Sequence, residues 1–155
     1  MQMDSLCNTS HSLEQLLPLM QEHLENGNRV TFSPRGTSML PMLREGRDTV
    51  TLSPLPGKLK KYDLPLYRRD DGQFVLHRIV EAGATYTCMG DNQFLREHGI
   101  RQDQLIGLVT AFQRDGKEYA VTDLRYRFYC RVWHYSRQLR RGFRGLRSWL
   151  RRRLK

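Results

Sequence analysis

A hydroxyl, an imidazole and two carboxylates stand along this chain in an order that supports nucleophilic catalysis: Ser38, then His77, then Asp91 and Glu97. Ser38 lies in Gly36-Thr37-Ser38-Met39-Leu40-Pro41, between a residue free in its backbone and one that fixes its own. A serine attacks a carbonyl when a base takes its proton, and a histidine base works best when a carboxylate sets its tautomer. His77 falls within Phe74-Val75-Leu76-His77-Arg78-Ile79-Val80, where alternation places Val75, His77 and Ile79 on one face and Leu76 and Arg78 on the other. Asp91 follows in Gly90-Asp91-Asn92, with Glu97 six residues on and Asp103 beyond it. Taken singly, each is ordinary: a strand histidine is usually a satisfied one, and Gly-Asp-Asn is usually a turn. Their succession is what gives them weight.

The elements that must position these groups are short strands. Residues 29–32 alternate and lead into the Ser38 turn, and 48–52 are β-branched and end at Ser53-Pro54-Leu55-Pro56-Gly57. Residues 64–68 form a third run, in which Pro65 implies an edge or a bulge, and Asp70-Asp71-Gly72 turns into one strand over 73–80. Further strands are expected over 85–89 and 105–113, with 118–121 pairing back across Asp115-Gly116. This rhythm predicts a mainly β, antiparallel domain with a helix at each end. The first helix, over 12–26, opens with the capping box Ser12-Leu13-Glu14-Gln15, meets Pro18 and stops at Asn26-Gly27. The boundaries read as an N-terminal helical segment 1–28, a β domain 29–123 and a tail 124–155.

Net charge is +10, and its distribution is uneven. Residues 124–155 hold eleven Arg and one Lys with no Asp or Glu, whereas the rest of the chain is slightly acidic. In that tail Phe128, Val132, Tyr135, Leu139, Phe143, Leu146, Leu150 and Leu154 recur at helical spacing, which predicts a basic amphipathic helix weakened at Gly142 and Gly145. An anionic membrane surface or a partner protein suits it. Tyr126, Tyr129, Trp133 and Tyr135 interleave with arginines as a nucleic-acid surface would, a less favoured reading. Cys7, Cys88 and Cys130 offer neither a disulfide framework nor a zinc set, the remaining histidines lack ligand spacing, and no cofactor is indicated. No run is long and apolar enough for a span, and no secretory signal opens the chain, so a cytoplasmic protein is expected, peripheral at most.

The set GTSMLP (36–41), Lys60-Lys61-Tyr62-Asp63-Leu64, LHRIV (76–80), GDNQ (90–93) and LIGLV (105–109) resembles the signal peptidase I and LexA-type repressor superfamily of serine peptidases. It is more similar to the endoplasmic-reticulum and archaeal branch, and to small bacterial members without a membrane anchor. The resemblance covers residues 30–112 and implies an antiparallel β-ribbon or partly closed barrel. It also implies that Ser38 is the nucleophile, that His77 stands where other branches carry a lysine base, and that Asp91 or a second acid such as Glu97 assists, with Asp91 the first choice. Some relatives carry a serine two residues before the nucleophile, where this chain has Gly36, so the oxyanion would fall to the Ser38 backbone N–H with help from Thr37. Met39 would line the substrate pocket or the core.

The resulting expectation is a serine endopeptidase that cleaves a peptide or precursor protein through an acyl-enzyme, with substrate added as a strand to a sheet edge. Two alternatives stand beside it: a catalytically silent peptide-binding module of the same fold, and a LexA-like regulatory domain, for which no helix-turn-helix precedes the β region.

Overall fold

A computed structural model describes residues 13–137, 139 and 140. Among these residues nine antiparallel strands form two sheets, accompanied by two α-helices and a short 3-10 turn (Gln102–Gln104), and neither sheet closes into a barrel. The mainly β, antiparallel expectation therefore holds at the level of class.

Helix α1 (Leu13–Glu25) carries Pro18 inside it. Ser12 of the expected capping box lies outside the described residues. The helix ends where Gly27 takes φ +79°, letting Gly27 N–H donate to Leu24 and Asn28 N–H reach back to His23. That left-handed stop turns the chain into β1 (Val30–Phe32), and Met20 and Leu24 are buried beside it.

The larger sheet runs β1, β2 (Thr49–Ser53), β8 (Leu105–Arg114), β3 (Pro65–Arg68), β4 (Phe74–Leu76), with β9 (Lys117–Ala120) also paired to β8. β8 is long enough to serve two neighbours on one side: β3 along its first half and β9 along its second. The β8–β9 hairpin turns at Asp115 and Gly116, both at positive φ, as the Asp-Gly pair predicts. β3 lies between β8 and β4 and not at an edge, so of the two readings of Pro65 the bulge is the one observed, as a register shift between Leu66 and Tyr67. Pro65 opens the strand, where a missing N–H costs least.

The second sheet is β5 (Arg78–Ala82), β6 (Tyr86–Met89) and β7 (Glu97–Ile100). The single strand expected over 73–80 is in fact two. β4 belongs to one sheet and β5 to the other, and His77 is the residue between them. Alternation in side-chain direction persists across the break: Leu76 joins the cluster with Val50, Leu52, Leu66 and Val109, while Val75 and Ile79 join Tyr67, Cys88 and Leu105. A histidine that ends one strand and precedes another is held from both sides.

β7 was not anticipated. Its sequence, Glu-His-Gly-Ile, has neither alternation nor β-branched residues beyond the last, and it is an outer strand whose pairing is supplied by β6.

Helix α2 (Leu124–Tyr135) packs Tyr126 and Cys130 into the first cluster. The part of the expected apolar row that is described, Phe128, Val132, Tyr135 and Leu139, is exposed on the side away from the body. Residues 141–155, including Phe143, Leu146, Leu150, Leu154, Gly142 and Gly145, lie outside the described residues. Among the described residues no helix is long and apolar enough to cross a membrane.

Candidate active site

The segment joining β1 to β2 carries Ser38 and is tied at its ends. Asp48 is fully buried and accepts hydrogen bonds from the Arg44 backbone N–H (2.8 Å), Nε (3.0 Å) and Nη2 (2.8 Å), while its carbonyl accepts from Ser33 Oγ (3.0 Å). The Arg44 hydrogen bond holds the Asp48 carboxyl below the usual range. Met39, Met42 and Leu43 are buried in the core beneath this loop. Gly36 at φ +84° makes the bend before Ser38, a conformation strained for any residue with a Cβ, and the Leu40–Pro41 peptide is cis. Ser38 is left half-buried at the wall of a cleft of about 230 Å³, shared with Gly36, Met39, His77 and Gln93. A larger cavity of about 530 Å³, between α1 and residues 101–106, lacks a serine and a histidine.

The closeness of Ser38 to His77 is marked by Gly90. A Cβ built there meets the Ser38 carbonyl oxygen at 2.7 Å, Gln93 Oε1 at 3.0 Å and His77 Nε2 at 3.1 Å. Three groups from three separate segments thus crowd one point, which only a residue without a side chain can occupy. Asn92 completes the clasp: its N–H donates to the Ser38 carbonyl (2.8 Å) and its side-chain amide to the Thr37 carbonyl (3.2 Å). Thr37 itself is exposed, and Met39 serves both places considered for it, buried in the core and lining the cleft.

His77 is 3% exposed, and its Nδ1 lies 3.0 Å from Glu97 Oε1. Glu97 also receives Arg69 Nη2 (2.5 Å) on Oε1, and Arg69 Nε (2.8 Å) and the Tyr67 hydroxyl (3.0 Å) on Oε2. Burial works against ionising Glu97, yet these hydrogen bonds outweigh it and hold its carboxyl below the ordinary value. An ionised carboxylate only accepts, so the proton on the His77–Glu97 contact belongs to Nδ1, and Nε2 carries the lone pair. Nε2 is the ring atom that lies against Gly90, as does the Ser38 carbonyl oxygen. The His77 pKa is pushed down from 6.5, first by burial and further by the Arg69 charge, against the raising effect of Glu97. A neutral imidazole with a free Nε2 is therefore its state at neutral pH.

Asp91, the first choice for orienting His77, is occupied elsewhere. Its Oδ1 and Oδ2 accept Arg78 Nε (2.9 Å) and Nη2 (2.8 Å) in a buried fork, and Oδ2 also accepts from the Tyr129 hydroxyl (3.2 Å). The same guanidinium donates to the Tyr126 hydroxyl (2.8 Å) and to the Tyr62 carbonyl (3.2 Å), and Trp133 Nε1 donates to the Asp91 carbonyl (2.7 Å). The reason lies in alternation: Arg78, one residue after His77, points to the opposite face, and the Gly-Asp-Asn turn follows it there. Asp91 thus fastens the turn and α2 to the body, while Glu97 meets the imidazole. Asp103 is engaged with Arg101 at the surface (3.2 Å).

Sequence reasoning missed Tyr67, Arg69 and the part played by Gln93. Tyr67 and Arg69 are two residues apart around the end of β3, the spacing that puts both on one face. A tyrosine and an arginine in and beside a buried strand were the available signal, since such groups need partners when desolvated. Among the described residues neither the Ser38 hydroxyl nor its backbone N–H makes a hydrogen bond.

No family model, curated protein or solved structure matches this chain.

Proposed function

We propose that the chain is a serine endopeptidase in which Ser38 is the nucleophile, His77 the base and Glu97 the carboxylate that orients it. The observation that carries this reading is the crowding of the Ser38 loop and His77 Nε2 around Gly90, with Nδ1 of the same ring on Glu97. Lone pair and proton thus sit on the nitrogens that base catalysis requires. The motif order resembling the signal peptidase and LexA-type superfamily points the same way.

In the reaction the Ser38 hydroxyl oxygen attacks the scissile carbonyl carbon while its proton passes to His77 Nε2. The oxyanion is met by the unengaged N–H of Ser38, with the amide of Gln93 at the same cleft as the second donor. The imidazolium, paired with Glu97, then returns its proton to the leaving amine, and an acyl-enzyme remains on Ser38. Water activated by His77 hydrolyses that ester and restores the serine. Arg69 and Tyr67 keep Glu97 in place and ionised. Substrate enters as an extended strand along β4, the outer strand of its sheet, whose three residues all line the cleft.

Hydrolysis of a peptide library by the wild type, Ser38→Ala and His77→Ala decides the matter. Turnover confined to the wild type is expected, and equal turnover by all three excludes the peptidase. One observation favours the silent peptide-binding module as a second reading: no hydrogen bond joins the Ser38 hydroxyl to His77. That bond is often long before substrate arrives. Peptide affinity that survives in Ser38→Ala, with no turnover by the wild type, selects the binding module.

A further inference from the structure

α2 divides its residues unusually. Tyr126 and Cys130 are buried, and the hydroxyl of Tyr129 and the indole N–H of Trp133 are bonded to Asp91, so these four face the body. On the opposite side Leu124 is 79% exposed, Phe128 69%, Val132 46%, Tyr135 70% and, one turn further, Leu139 68%. Steps of three and four residues put these side chains in one row along the helix. Exposed Arg127 and Arg131 flank the row on one side and Arg125 on the other, and none of the three is ion-paired among the described residues.

The flank with Arg127 and Arg131 opens on a cleft of about 480 Å³ that is also lined by Lys60 and Lys61, against a single carboxylate, Asp63. Asp63 accepts the Lys60 backbone N–H (2.9 Å), and burial pushes its carboxyl upward. Four cations around one half-buried acid leave this wall positive.

From this arrangement we infer that the outward face of α2 docks on an anionic phospholipid surface. The apolar row enters the acyl boundary, and the arginines beside it meet the headgroup phosphates, with the Lys60–Arg131 cleft taking a headgroup at its edge. A second copy of the chain does not fit, because face-to-face pairing sets arginine rows against each other and residues 124–155 contain no Asp or Glu to offset them. Nucleic acid fits less well: three of the four aromatic rings that interleave with arginines, Tyr126, Tyr129 and Trp133, are turned to the body, and the exposed Phe128 and Tyr135 stand in one row with Leu124, Val132 and Leu139, an apolar stripe and not a stacking platform.

The test is flotation of the full chain with vesicles of phosphatidylcholine alone and with vesicles in which about one third is phosphatidylserine. Binding to the anionic vesicles only, weakened by salt, is expected. The pair Phe128→Ser and Val132→Ser should lower that partitioning about ten-fold or more, with an unchanged unfolding midpoint because both side chains are exposed. Leu124→Gln with Leu139→Gln repeats the test from the two ends of the row. Absence of flotation, equal flotation with both vesicle types, or apolar-row variants that float like the wild type each overturn the proposal. So does a solution dimer that Phe128→Ser with Val132→Ser dissolves, which would assign the face to a second copy.

Discussion

At the scale of single residues, the site separates two carboxylates that the sequence left as rivals. Glu97 and Asp91 follow the same glycine by a few residues, yet one meets an imidazole and the other a guanidinium. Their substitutions are expected to differ in kind. Glu97→Gln keeps shape but removes the charge that stabilises the imidazolium, so turnover should fall about 100-fold or more with little change in unfolding midpoint. Asp91→Ala strands a buried Arg78, which should cost about 3–5 kcal/mol of stability and lower the denaturation midpoint before any kinetic effect is read. Reversal of that pattern would return the catalytic role to Asp91. The direction of the His77 shift adds a pH expectation. If the neutral imidazole is the base, as proposed, its pKa lowered from 6.5 means that activity should rise to half its plateau below 6.5 as pH increases. Arg69→Gln removes a charge that pushes that pKa down, so the limb in kcat/KM should move to higher pH; a limb that stays fixed would detach Arg69 from the base.

At the scale of elements, the site is assembled from chain ends of strands. His77 marks the passage from one sheet to the other, Gly90 follows the last residue of β6, Glu97 begins β7, and Ser38 sits in the long connection between β1 and β2. Gly90 is where these connections nearly touch, and it is the position at which one methyl group should matter most. Gly90→Ala places a Cβ against the Ser38 backbone, so the Ser38 loop must retreat; a loss of about 1–3 kcal/mol and a larger fall in kcat than in 1/KM are expected. Wild-type kinetics in that variant would mean that the loops are not held together as described. Ser38, His77 and Glu97 were legible as candidates because residue type and order survive without geometry, whereas the preference for Asp91 over Glu97 was not settled by order, since it depends on which face each acid reaches. The β1, β2, β3, β6, β8 and β9 strands were legible from alternation and turn residues. The break at His77 was not, because alternation continues across it while the hydrogen-bonding partner changes. β7 was not, because an edge strand of Glu-His-Gly-Ile takes its conformation from β6 and not from its own propensity. Tyr67 and Arg69 escaped for a related reason: their role depends on the packing of one sheet against the other, which brings the end of β3 to the start of β7, and no local pattern encodes it.

At the scale of the whole molecule, two clusters of apolar side chains are divided by the β3–β4–β8 part of the large sheet, and the cleft opens beside its outer strand. Both helices contribute to one cluster, so α2 is anchored to the body through Tyr126, Cys130 and the Asp91–Arg78 pair while presenting its apolar row outward. The Gly-Asp-Asn turn therefore faces two ways: Gly90 borders the Ser38 cleft, and Asp91 holds the helix proposed to meet the lipid. Central to the proposed function is a serine made nucleophilic by a neighbouring histidine. Its most direct measurement is the labelling of the intact protein with a fluorophosphonate, with the adduct located by mass spectrometry. The account predicts an adduct on Ser38 that forms in the wild type, slows about 100-fold or more in Glu97→Gln and is absent in His77→Ala. An adduct on another residue, or labelling of Ser38 at the same rate without His77, would contradict it.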